Sequence, residues 1–230
     1  GKDSVVGGSS LVLQPRSDTA SIAIGSPTGS ETLFTLTTED LAALRNGFAD
    51  ITVGRTGGGH TVTVGDATFS DPTTIRYSGE GGSATINESL TGFDDASFTL
   101  LGSTAGTKLI GSITTQGDPI FIDDGMIIAG EPSFLSAVGA TLTVTGPIAA
   151  MPDGKGVLDA DADDIVFQQA LGANAAPLSV DLDGFRIGTQ AITAQDVINV
   201  VAPEGCSPGG NVTSRAGDIT VTGATNLIVN

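Results

Sequence analysis

In 230 residues there is one cysteine, one histidine, one tyrosine and no tryptophan, and lysine and arginine together supply nine. With Cys206 alone, no intrachain disulfide can form. So sparse a use of cysteine suits the cytosol and equally suits large exported bacterial surface proteins. The nine cations are scattered from Lys2 to Arg215 against 26 acidic residues, a formal charge of −17. Without a basic patch to neutralise phosphates, nucleic acid is excluded as a partner. No apolar run approaches the roughly 18 residues of a membrane-crossing helix, so the chain is not expected to span a membrane. Aromatics amount to 4%, too few for the large aromatic core of an immunoglobulin-like sandwich. The chain opens Gly1-Lys2-Asp3-Ser4, with no initiator Met and no apolar signal core, as expected of a mature or excised piece.

What is abundant is glycine, with 33 residues, and aspartate, which supplies 20 of the 26 acids. Asp favours turns and caps because its short side chain bonds its own backbone. Between these turn residues lie short β-branched runs, among them Ile51-Thr52-Val53, Thr61-Val62-Thr63-Val64, Ser97-Phe98-Thr99-Leu100 and Thr141-Leu142-Thr143-Val144. Their starts recur at roughly ten to fourteen residues, the rhythm of a sandwich, a barrel or a solenoid. Alternate starts fall roughly 22 to 29 residues apart, which is one coil of a β-helix. Several runs alternate Ile, Val or Leu with Thr, Ser or charge, so each strand buries one face. Stacked aliphatics can fill a coil without Trp or Tyr. The expected class is therefore all-β, a right-handed parallel β-helix (solenoid) with short helical insertions and a mixed C-terminal segment, ahead of the antiparallel alternatives.

Helix signals interrupt the strands. Thr38–Gly47 has a capping Thr, acids in its first turn, Leu41 and Leu44 on one face and Asn46-Gly47 as a stop, which predicts a corner helix near 38–47. Residues 162–171, closed by Gly172, and 197–201, preceded by the capping-box variant Thr193-Ala194-Gln195-Asp196 and stopped by Pro203 and Gly205, predict two more. The expected organisation is β-helix coils over 1–150, a mixed helix and loop insertion or cap over 151–205, and returning strands over 206–230, at Asp218–Thr222 and Leu227–Val229.

The order of these elements resembles a known family. Leu13-Gln14-Pro15 and Ile22-Ala23-Ile24-Gly25 are followed by Leu36-Thr37-Thr38-Glu39-Asp40-Leu41, Ile51-Thr52-Val53-Gly54-Arg55, Thr61-Val62-Thr63-Val64 and Phe69-Ser70-Asp71-Pro72. Over about residues 9 to 150 this is similar to the repeat units of filamentous-haemagglutinin-type bacterial surface proteins. The resemblance implies a secreted adhesin built as a right-handed parallel β-helix. The Asn-Pro-Asn signature of that family's secretion domain does not occur in the chain.

Candidate sites are few. Asp159, Asp161, Asp163 and Asp164 form the densest anionic cluster, and alternate Asp residues can present oxygens to calcium. An EF-hand is excluded, since its sixth and twelfth positions are Asp164 and Ala170. Asp181 and Asp183, ahead of Gly184, form a second candidate for Ca2+. Asp94-Asp95 and Asp123-Asp124 are the carboxylate pairs that a polysaccharide lyase or hydrolase would need. His60 reads as an exposed strand-start residue and Cys206 as a loop thiol without a base partner. The Thr rows Thr61, Thr63 and Thr141, Thr143, Thr145 are the residues an ice-binding face would use, and equally what a wet strand face prefers. The function expected is a non-catalytic structural and adhesive module of a secreted bacterial cell-surface protein, forming a stiff rod or filament. Its partners would be neighbouring copies or modules of the same protein, and surface glycans. The alternatives are a carbohydrate-active β-helix and the protomer of a surface lattice or fibre.

Overall fold

The structure is a computed structural model and describes residues 1–25, 34–103, 106–152 and 155–225. It is a parallel β-solenoid of about 8 turns. Each coil lays one short strand on each of three walls, illustrated by Ile51–Val53, Thr61–Val64 and Ala67–Phe69, before Thr73–Arg76 begins the next coil. All of the named strand pairings are parallel and connect neighbouring coils. On the first wall Ile51, Thr73, Phe98, Ile120, Leu142, Ile165, Ile187 and Cys206 stand in one register line. On the second wall the line runs through Val62, Ala84, Thr107, Met126, Ile148, Leu171, Ile192 and Val212. On the third it runs through Ala67, Leu90, Ile113, Leu135, Ala160, Leu182, Val200 and Val221. A coil is thus about 22 residues long, at the short end of repeat architectures.

The register lines are the core. Nearly all of their members are buried, together with a parallel set such as Val53, Ile75, Leu100, Ile122, Val144 and Phe167 two residues further along the first wall. Side chains alternate across a strand, so every second residue enters the lumen and the intervening Thr, Ser and Asp face outward. Tyr77 is the one large polar ring inside, where its hydroxyl meets Thr107 Oγ1.

The N-terminal end is closed. Phe34–Leu36 pairs with Ile22–Ile24 on the edge opposite Thr61–Val64, and the helix Thr38–Ala43 (α1) follows it. Thr37, one residue earlier than expected, caps α1 in a reciprocal box with Asp40. The helix ends at Ala43 instead of running to Gly47, because Leu44 turns extended to bridge Val5. Leu41 and Phe48 are buried in the core cluster, so this insertion plugs the lumen. It also makes the first coil long, with Leu11 in register with Ile51.

The other two expected helices are strands. Ala162 to Phe167 belongs to Val157–Phe167, and Ile198 to Val201 belongs to Ile198–Pro208. Coils therefore continue through 151–205 where a mixed segment was expected. Leu158, Ala160, Ala162, Ile165 and Phe167 point into the lumen, and pairing on both edges outweighs a weak local helix signal. The strand expected at 218–222 is present as Ile219–Thr225. The one expected at Leu227–Val229 lies outside the described residues. No helix among the described residues is long and apolar enough to cross a membrane.

Because lumen positions stack on like positions in the coils above and below, a hole there cannot be filled by one neighbour alone. Leu100→Ala should cost about 2–5 kcal/mol. Thr99→Ala, on the outer face of the same strand, should stay within about 0.5 kcal/mol. Urea unfolding midpoints of the two variants check this contrast.

Candidate functional site

The candidate site is built by strand alternation on the outer face of the third wall. In Val157–Phe167, Leu158 and Ala160 are buried, which turns Asp159 and Asp161 outward. In the next coil Ser179–Asp183 does the same with Asp181 and Asp183. Asp159 is in register with Asp181, and Asp161 with Asp183. Four Asp residues thus form a two-by-two array, with backbone positions about 4.8 Å apart between strands and about 6.6 Å apart along them. Burial, followed by repulsion from Asp181, Asp161 and Asp183, holds the Asp159 carboxyl above the usual range. Asp161 is raised by burial and then by Asp183 and Asp163. Asp181 is steadied by the Asn199 Nδ2 donor at 2.9 Å, one coil further on.

The two remaining members of the expected calcium set go elsewhere. Asp164 accepts both Nε and a terminal nitrogen of Arg186 at 2.7 Å, and this bidentate pairing holds its carboxyl below the usual range. Asp163 sits in the corner that follows and accepts the Gly139 amide at 3.0 Å. The structure therefore joins Asp159 and Asp161 to Asp181 and Asp183, keeps Asp163 beside Asp161 at the corner, and commits Asp164 to Arg186. Among the described residues no group of three or more His, Cys, Asp or Glu side chains is placed to hold a metal ion.

Beside the array, the corner between the third and first walls holds a groove of about 210 Å3. Val138, Asp161, Asp163, Asp183, Phe185 and Pro203 line it. Val138 and Phe185 are 53% and 52% exposed. The same corner carries acids in earlier coils. Asp71 is raised by burial, against the lowering effect of the Gly47 amide, and further by Asp95 and Asp94. Asp118 is raised by burial and by the same two neighbours.

Other sequence candidates find structural roles. His60 is buried, not exposed. Its Nε2 accepts the Arg55 amide at 3.1 Å and its Nδ1 lies 2.8 Å from the Ala20 carbonyl. The ring is therefore the neutral Nδ1–H tautomer, tying the long first coil to the second. Gly58 is required beside it, since a Cβ there would lie 2.3 Å from Nε2. Cys206 is not in a loop but in the strand Ile198–Pro208, buried in the lumen line, and burial pushes its thiol up. Asp94 binds Asn46 at the corner between the third and first walls. Asp123 accepts Thr145 Oγ1 at the end of a first-wall strand, so the two carboxylate pairs do not share a site. Asp124 is nine-tenths buried with one oxygen on the Gly125 amide at 2.7 Å and Oδ2 without a hydrogen-bond partner. Of the Thr rows, Thr63 lies in register with Thr85, but Lys108 follows in the next coil and interrupts the hydroxyl row.

Sequence reading missed the pairing of the two Asp-x-Asp motifs. The signal was available: Asp159 to Asp181 is one coil length, and alternation places both motifs on the wet face. No family model matches the chain, and neither does any curated protein or solved structure.

Burial raises Asp124 to about 6, above the ordinary aspartate value of about 3.9. Ionising it therefore costs folding stability, a cost absent below the unfolded value and complete once pH exceeds the folded one. Asp124→Asn should raise Tm relative to the parent at pH 7, with the difference vanishing below about pH 4. Asp159→Asn should behave with the same sign, because its carboxyl is raised as well. Thermal melts across pH check both.

Proposed function

We propose that this chain is a non-catalytic structural and adhesive module of a secreted bacterial cell-surface protein of the filamentous-haemagglutinin type. The observation that carries the reading is the continuity of the lumen. Buried lines run unbroken from coil to coil on all three walls, mostly aliphatic with Thr73, Phe98, Thr107 and Cys206 among them, and the interior is filled by side chains rather than kept open for a substrate. Axial hydrogen bonds and filled packing make such a coil stack stiff, while the outward positions are free to vary without disturbing the core. An exterior carrying most of a −17 charge keeps the segment soluble. Its partners in this reading are surface glycans and neighbouring modules or copies, which meet its side walls.

A carbohydrate-active reading has one observation in its favour, the array of Asp159, Asp161, Asp181 and Asp183 with burial-raised acids among them. Glycosidases work with paired carboxylates of unequal acidity. Incubation with pectin, alginate and related acidic glycans separates the two. The adhesive module is expected to release no product, and new reducing or unsaturated ends would overturn it. Negative-stain images with and without calcium test the lattice or fibre reading, with ordered assemblies as its positive result.

A further inference from the structure

We propose that the corner groove beside the Asp array is a docking site for a lysine or arginine side chain of a cationic polypeptide partner. The inference gives the adhesive module a partner of stated chemistry and takes its biological setting from that reading, while the binding event itself does not depend on it. Two features meet there. Val138 and Phe185, both more than half exposed, line the groove, and its volume of about 210 Å3 suits one long side chain. Asp161, Asp163 and Asp183 line it as well.

A groove lined by both apolar side chains and carboxylates calls for an aliphatic stem that ends in a cation. Lys and Arg bury such stems along apolar surface while their charged heads stay in polar surroundings. The Phe185 ring lines the same groove and adds an attraction for a cation that reaches its face. The chain does not satisfy this chemistry itself, because the nearby Arg186 is committed to Asp164 through both of its hydrogen bonds. Asp161 and Asp183 stand opposite each other on neighbouring strands, with backbone positions about 4.8 Å apart. A guanidinium or ammonium can bridge that span with its several donors. A calcium ion needs six or more oxygens at about 2.4 Å, a convergence that the described residues do not offer.

Fluorescence anisotropy with a labelled peptide rich in lysine and arginine tests this on the full chain. A counterpart peptide carrying acetyl-lysine and citrulline serves as the uncharged control. At low salt the cationic peptide should bind and the control should not. The double variant Asp161→Asn/Asp183→Asn should weaken binding about tenfold, and Phe185→Ala about threefold. Glu39→Gln/Glu80→Gln, an equal charge change at two exposed positions outside the groove, should leave affinity unchanged. Thermal melts showing both groove variants folded complete the comparison. Equal weakening by Glu39→Gln/Glu80→Gln would mean diffuse electrostatics and overturn the proposal, as would equal binding of the uncharged peptide. Calcium that displaces the peptide and raises Tm in the parent but not in the double variant would assign the groove to a divalent cation instead. A failure of the glycan experiment would leave peptide binding standing, and a failure of peptide binding would leave the scaffold reading standing.

Discussion

The structure depends on axial register. Each inward side chain stacks on the inward side chain one coil away, so a one-residue slip on any wall would turn aliphatics outward and Asp or Thr inward. That constraint acts three times per coil and is repeated along the whole stack. It explains why a chain with 4% aromatics and no tryptophan can still form a continuous core. Ile, Val and Leu in like environments pack on one another, and a few rings, such as Phe69, Phe98, Phe167 and Tyr77, are buried among them. Tyr77 is accommodated only because Thr107 meets its hydroxyl.

The same constraint decides what was legible beforehand. Short strands bounded by Gly and Asp, with period-two alternation and a regular spacing, are local features, and they led to the right architecture. The expected helices at 162–171 and 197–201 failed for a common reason. There the chain passes the corner between the third and first walls without leaving the sheet. The bulges lie between Ala137 and Thr141 and between Ala202 and Cys206 in the strand pairings. A bulge shifts the alternation by a residue, so Ala160, Ala162 and Ile165 no longer read as period two and resemble a helical face. Pro203 and Gly205, read as helix stops, are the residues that bend the strand round that corner.

The site was legible in its parts and not in its assembly. Asp159, Asp161, Asp181 and Asp183 are evident as Asp-x-Asp motifs, but their meeting depends on a coil length that only the whole stack defines. Asp164 could be assigned to the cluster by proximity in sequence. Its partner, Arg186, is brought opposite by the next coil. His60 shows the reverse effect. Placed after three glycines it looks exposed, yet those glycines let the loop close over the ring, which then links two coils through its two nitrogens.

Electrostatics and packing also divide the surface of the molecule by role. Like charges in register on the third wall oppose stacking, and repulsion between exposed carboxylates is small beside the burial of an aliphatic line. The fold can therefore tolerate an acidic wall that does nothing for its stability. At the N-terminal end the situation differs. Leu41 and Phe48 plug the lumen, and residues 3–5 pair with the chain that leaves α1. An end-on partner there would have to displace buried apolar groups already packed in the core. Side-on contact costs nothing comparable, because the outer faces carry no packing duty. A partner at this end would therefore have to use the walls instead of the axis.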